Sequence, residues 1–199
     1  MHDHYYSKQP KAAHRRHELR LELHGVSLAL SSDSGVFSRH AIDTGTLLLL
    51  SHIPSPSGGH VLDIGCGYGP IGLFYAARCP SCTVHMSDVN ERAVALSREN
   101  AARNSVTNVV VHSGAFPADR DLFFDLITTN PPIRAGRPIL LELFEGARQR
   151  LRQGGLFAFV ARTQQGAKRL ATDAERIFGN VEDVARASGY RVYAARRHN

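Results

Sequence analysis

A chain of 199 residues holds one domain with a full hydrophobic core and leaves too little for two generous ones. With 43% hydrophobic and 21% charged residues, no apolar run near the ~20 residues of a membrane span and no apolar centre in residues 1–6, it is expected to be a folded cytoplasmic protein without membrane attachment. The net charge of +6 gathers at Lys8, Lys11, Arg15, Arg16 and Arg20 and again at Arg186, Arg191, Arg196 and Arg197, which favours an anionic partner, nucleic acid first, although a solvated basic surface would give the same pattern.

Residues 19–23 and 26–30 alternate apolar and polar side chains around His24-Gly25, the pattern of a β-hairpin. The loop Asp33-Ser34-Gly35-Val36-Phe37-Ser38 follows, residues 44–53 read as a short helix, and Ser55-Pro56-Ser57-Gly58-Gly59 breaks the chain. From there strands and helices alternate: a strand at 61–64, a helix at 71–78, a strand at 83–87, and a helix at 91–104 capped by Asn90. Strands are predicted at 109–111 and 124–128, then a helix at 138–151 stopped by Gly154-Gly155, a strand at 156–161 and a helix at 167–178. Two strands, 181–185 and 190–194, close the chain around Ser188-Gly189. Repeated strand-helix-strand units predict a parallel sheet covered on both faces, with an antiparallel strand from the last hairpin.

Cys66, Cys79 and Cys82 are an odd count in a chain with no export signal, so reduced thiols are expected. Cys79-Pro80-Ser81-Cys82 has the spacing of a redox or zinc motif, but it has no second Cys or His pair at ligand spacing, and a plain turn is the expectation. The eleven histidines show no i, i+4 pair on an evident helix, so no metal is predicted.

Asp63-Ile64-Gly65-Cys66-Gly67-Tyr68-Gly69 lies at the carboxyl end of the first core strand, where a doubly wound sheet takes its ligand. Glycines there admit a cofactor close to the backbone, and Asp88, about 20 residues on, ends the next strand where a carboxylate accepts ribose hydroxyls. Gly67-x-Gly69-x-x-Gly72 also satisfies the dinucleotide fingerprint, which keeps an NAD-dependent dehydrogenase and a non-catalytic nucleotide-binding module open. Yet Gly65 is the residue that leaves the strand, and an acid at Asp63 suits a cofactor carrying an ammonium group better than a pyrophosphate.

Asn130-Pro131-Pro132-Ile133 follows the apolar run 123–129. Proline fixes its own φ and drives the residue before it into extended geometry, so the Asn130 amide and the Pro131 carbonyl point in defined directions and can grip an –NH2 group.

Together the glycine turn, Asp88 and the Asn130 block resemble the class I methyltransferases of the methyltransferase small domain family, which includes ribosomal RNA guanine-N2 methyltransferases. The likeness extends to His4-Tyr5-Tyr6, to residues 33–38, to Asn130-Pro131-Pro132-Ile133-Arg134-Ala135-Gly136 and to Thr163-Gln164-Gln165-Gly166-Ala167, nearly the whole chain. It implies a Rossmann-like, doubly wound α/β fold with a seven-stranded sheet ordered 3-2-1-4-5-7-6 and strand seven antiparallel. An N-terminal hairpin extension, residues 1–54, would pack on a methyltransferase core, residues 55–199, as one structural domain.

The resemblance also implies S-adenosylmethionine as cofactor, S-adenosylhomocysteine as product and no metal. Asp63, Gly65, Cys66, Gly67, Tyr68 and Gly69 would face the methionine part, Asp88 with Val89 and Asn90 the ribose, and Ala115 and Asn130 the rest of the cofactor. Related enzymes place a polar residue after the third strand for the adenine amine, whereas this chain has Ser113-Gly114-Ala115, so that contact passes to backbone. Asn130, Pro131 and Pro132 would be catalytic. Relatives carry an aromatic residue where this chain has Ile133; Ile133 would cover the target base with apolar surface, and Phe37 would supply a second face unless it plugs the core. Arg134 and Arg137 would pair with RNA phosphates or stand as exposed arginines at a helix start. The implied substrate is RNA, ribosomal RNA or a ribosomal subunit foremost, with protein glutamine or DNA adenine as alternatives, and the protein would be a monomer or homodimer.

Overall fold

The computed structural model describes residues 12–198, so His4-Tyr5-Tyr6, Lys8 and Lys11 lie outside the described residues. Strands β1 (His17–Leu23) and β2 (Val26–Ser32) pair antiparallel through His24 and Gly25, both at positive φ (48° and 80°), the turn geometry that matches strand twist. Leu21, Leu28 and Leu30 point from this hairpin into the core, each contributing about 1.5–3 kcal/mol by burial. Helix α3 (Glu91–Arg103) and its C-cap close the edge of β2: the side-chain amides of Asn100 and Asn104 exchange bonds of 2.8–2.9 Å with the backbone of Ser31 and Ala29.

Between them run helix α1 (Thr44–His52), strand β3 (Gly59–Ile64), helix α2 (Pro70–Arg78) and strand β4 (Cys82–Asp88). After α3 come strands β5 (Val109–Ser113) and β6 (Phe124–Thr129), helix α4 (Arg137–Arg150), strand β7 (Leu151–Arg162), helix α5 (Ala167–Phe178) and strands β8 (Glu182–Ala187) and β9 (Tyr190–Arg196). Seven strands form one sheet in the order β5-β4-β3-β6-β7-β9-β8, parallel except for β9. Counted within the sheet, that is the expected order 3-2-1-4-5-7-6.

One face is packed by α1, α2 and α3 through Leu49, Leu73, Phe74 and Leu96 against Val61, Val84 and Val160. On the other, α4 and α5 set Phe144, Leu170 and Phe178 against Ile127, Phe157 and Phe159. Strands sandwiched in this way need apolar residues on both faces, which is why 157–161 reads as an unbroken apolar run and 61–64 as one interrupted only by Asp63.

Three features differ from expectation. Helix α4 stops at Arg150, and Gly154-Gly155 lie inside β7 instead of ending a helix; Leu151 already pairs with Phe124, and the register then shifts before Leu156 pairs with Leu126, so the glycines form an irregularity within a strand. Cys79 and Cys82 are disulfide-bonded, against the expectation of reduced thiols, because the turn from α2 into β4 brings their Cα atoms to 5.4 Å; Cys66 stays a buried thiol. No helix connects β5 to β6 along the chain, and His60, His85 and His112 from the adjacent strands β3, β4 and β5 form a row, with ring nitrogens 3.3 and 2.9 Å apart. Burial, with the charges of His112 and His60 adding to it, pushes His85 down to about 4. A search for helical spacing could not reveal a row assembled across strands.

Candidate functional site

The carboxyl ends of β3, β4 and β6 open into a cavity of about 550 Å³, roofed by the loop before α1 and by the start of α4. Its floor is the turn after β3. Gly65, Gly67 and Gly69 hold φ values of 69°, 58° and 93°, which only glycine adopts cheaply. The Gly65 and Cys66 amides donate to the Ser87 carbonyl (2.8 and 3.0 Å), and the Gly67 amide donates to Asp88 Oδ2 at 2.9 Å. Asp88 Oδ1 accepts from the Asn90 amide at 2.8 Å. Burial raises the Asp88 carboxyl above its usual range, while these N–H bonds and that of Val89 oppose the shift.

Of the residues expected to hold a cofactor, Gly65, Cys66, Gly67, Tyr68, Asp88, Val89, Ala115 and Asn130 line the cavity. Asp63, Gly69 and Asn90 stand behind its wall. Asp63 is 1% exposed; its Oδ2 accepts from the Gly72 amide at 3.0 Å, its Oδ1 has no partner among the described residues, and burial pushes its pKa up to about 7. It therefore sits beneath the turn instead of facing a methionine group, a correction with a plain cause: Gly72 packs so tightly on Met86, 2.4 Å from an added Cβ, that the start of α2 covers the acid. Gly69 leads into α2, and Asn90 caps α3 through its side chain while donating to the Gly35 carbonyl at 2.9 Å, which ties down the loop carrying Phe37.

The opposite wall is built around Asn130. Its Nδ2 donates to Asp43 Oδ2 (3.0 Å) and to Thr46 Oγ1 (3.2 Å), which leaves Oδ1 as the edge of the amide able to accept from a ligand. Pro132 adopts φ −74° and ψ 79°, an inverse γ-turn in which the Pro131 carbonyl accepts from the Ile133 amide at 2.8 Å and keeps a second lone pair. Pro132 reaches the cavity, and Pro131 is buried beside it.

Phe37, 40% exposed, lines the cavity together with Ile139 and Val89, an apolar rim. Ile133 does not join it: the γ-turn points it toward the α4 and α5 side of the core, which corrects the expectation that it covers a base. Arg137 is also reassigned, because its Nε and Nη2 grip Asp173 of α5 at 3.0 and 2.6 Å and the guanidinium fork is committed to an interhelical ion pair. Arg134 is exposed at the turn before α4. Asp43 and Thr46 were missed; the signal available was an Asp immediately before a helix, the composition of an N-cap.

The sequence profile of the methyltransferase small domain matches residues 27–194. The chain belongs to that family. This methyltransferase is 38% identical to the uncharacterized protein YbxB of Bacillus subtilis (strain 168) over 99% of its own length and 100% of the relative's. It is 38% identical to Ribosomal RNA small subunit methyltransferase C of Pseudomonas putida (strain W619), over 89% of this chain and 54% of that one. Among solved structures it is similar to a T. Thermophilus 16S rRNA N2 methyltransferase (RsmC) in complex with AdoMet and guanosine, with a TM-score of 0.80 and 24% identity across 95% of this chain and 52% of that one. The methyltransferase thus spans all of YbxB and about half the length of these two rRNA enzymes. Membership in this family sets aside the dehydrogenase reading of Gly67-x-Gly69-x-x-Gly72: Gly72 serves helix packing against Met86.

Proposed function

We propose that this methyltransferase carries a methyl group from S-adenosylmethionine to an exocyclic amine of RNA, with guanine N2 of ribosomal RNA as the target. The residues fit such a cofactor. A Cβ added at Gly65 would meet nothing within 4 Å, so the turn leaves a bare cradle at the floor of a cavity whose volume lies in the usual ligand range. Asp88 lines the same cavity with acceptor lone pairs for ribose hydroxyls, and the Gly65 to Gly67 backbone would hold the amino acid end.

The observation that carries the reading is the fixed Asn130 amide. Because Nδ2 is engaged by Asp43 and Thr46, Oδ1 is left to accept one hydrogen of an –NH2 group, and the remaining lone pair of the Pro131 carbonyl would accept the other. A guanine amine is a poor nucleophile because its lone pair is delocalised into the ring. Two fixed acceptors orient the nitrogen and stabilise positive charge as it develops there. When bound, the cofactor would supply a sulfonium methyl; its transfer to this nitrogen would break the S–CH3 bond, form the N–CH3 bond, leave S-adenosylhomocysteine and release one N–H proton to solvent. Phe37 and Ile139 supply apolar surface for the ring that bears the amine. The net charge of +6 and the names of the rRNA relatives support RNA as the carrier of that ring.

The test is transfer of a tritiated methyl to total RNA from cells lacking this gene, followed by nucleoside analysis. Label in N2-methylguanosine is expected. Label confined to methyladenosine or to protein would overturn the choice of substrate.

A further inference from the structure

The Asn130 amide can grip an amine only if it faces the right way, and an amide is nearly symmetric in shape. Rotated by half a turn, Asn130 would present its own –NH2 to the substrate and repel it. What prevents the rotation is a chain of polar side chains drawn from three separate elements. Arg162, at the end of β7, donates from Nε to the Tyr190 hydroxyl at 2.7 Å, with its guanidinium carbon 4.7 Å from the ring centre. Tyr190, at the start of β9, donates to Asp43 Oδ1 at 2.6 Å. Asp43, the N-cap of α1, accepts at Oδ2 from the Thr46 amide at 3.2 Å and from Asn130 Nδ2 at 3.0 Å.

The two ends of this chain have no choice of direction. A guanidinium only donates, and an ionised carboxylate only accepts. Tyr190 must therefore pass its proton toward Asp43, and Asn130 must turn its nitrogen to Asp43. Asp43 is 8% exposed, and Thr46 and Tyr190 are buried as well, which limits competition from water for these bonds. Gly45 makes the approach possible: an added Cβ would lie 2.5 Å from Tyr190 Cδ1 and 2.8 Å from Asp43 Oδ2. A glycine in the first turn of a helix costs about 1 kcal/mol relative to alanine, and here it admits the Tyr190 ring.

We infer that Asp43 is a positioning residue for methyl transfer, which, backed by Tyr190 and Arg162, sets the polarity of the Asn130 amide so that Oδ1 faces the acceptor amine. The inference rests on the role proposed above for Asn130. Asp43 also lines the cavity, but both its carboxylate oxygens are engaged by Tyr190, Thr46 and Asn130, so its removal is expected to act on turnover more than on cofactor affinity.

The experiment exchanges the two side chains. Asp43→Asn alone leaves two amides with no fixed direction, and Asn130→Asp alone sets two carboxylates against each other about 3 Å apart. The double variant, Asp43→Asn with Asn130→Asp, restores one donor facing one acceptor and still offers an oxygen to the amine. Methyl transfer to the same RNA is expected to fall about tenfold or more in each single variant and to recover in the double above both, with S-adenosylmethionine affinity by calorimetry within about threefold throughout. Tyr190→Phe leaves the helix cap intact and serves if Asp43→Asn does not fold; it should lower kcat severalfold with the cofactor Kd unchanged. Asp43→Asn or Tyr190→Phe at wild-type kcat, or a double variant no better than the weaker single, overturns the inference. An inactive Asn130→Ala beside a fully active Asp43→Asn sinks this inference alone, whereas a fully active Asn130→Ala sinks the reading beneath it.

Discussion

The two walls of the cavity are built by different means. The floor around Gly65 and Asp88 is held by backbone N–H groups that donate to two carboxylates close by in the chain: Gly67 to Asp88 spans 21 residues, Gly72 to Asp63 nine, and Asn90 to Asp88 two. The Asn130 wall is held by side chains far apart in sequence, with separations of 84 and 87 residues from Asn130 to Thr46 and Asp43 and 147 from Tyr190 to Asp43. A floor built on positive-φ glycines is most sensitive to change at those glycines. A wall of side chains is expected to fail at a single polar group, because each bond in it orients the next.

That contrast can be broken at several points. The largest effect is expected on the side-chain wall: Asn130→Ala should cut methyl transfer roughly 100-fold or more, as loss of a fixed acceptor at a developing charge does, with cofactor affinity within a few fold by calorimetry. Comparable loss of cofactor binding in this variant would mean the two walls are not separable. On the floor, Gly65→Val should show the opposite split. Its φ of 69° and the side chain filling the cradle should weaken S-adenosylmethionine binding about tenfold or more and lower stability by about 1–3 kcal/mol; binding and Tm like wild type would remove the cradle from the account.

A third, smaller effect is pH-dependent. Asp63 titrates near 7 in the folded chain against 3.8 as its ordinary value, so ionising it costs folding stability. That cost is fully present above about pH 7 and disappears as the pH falls below about 4. Asp63→Asn should therefore be more stable than wild type at pH 8, and its advantage should shrink on acidification. Denaturant unfolding at pH 8 and pH 5 measures the difference, and an advantage that grows toward pH 5 would contradict it. Smallest of all, Arg137→Ala should lower Tm slightly by releasing α5 from α4 and leave the salt dependence of RNA binding unchanged. A flatter salt slope would return Arg137 to the phosphate-binding role.

What was legible in the sequence follows the same division. The strands and helices were visible in their periodicities and caps; the bounds of α5 match, and Asn90 caps α3 as expected. The glycine turn and Asp88 were legible because local motifs encode local backbone. Gly154-Gly155 misled, since a glycine pair after a helix reads as a stop whether or not a strand has already begun at Leu151. Asp43 was illegible as part of the site because its cap role is local and its bond to Asn130 depends on how α1 lies across β7 and β9. Ile133 was misplaced for a related reason: two prolines imply stiffness, but only the γ-turn at Pro132 reveals which way the next side chain leaves. The Cys79–Cys82 bridge is hidden because an odd cysteine count with no export signal predicts reduced thiols, although the spacing permits the bond.

The central claim is geometric, and one structure tests it: the protein crystallised with S-adenosylhomocysteine and guanosine. The account predicts the guanine amine nitrogen about 3 Å from Asn130 Oδ1, with Nδ2 still bonded to Asp43. An amine bound beyond hydrogen-bond reach of Asn130 would contradict it.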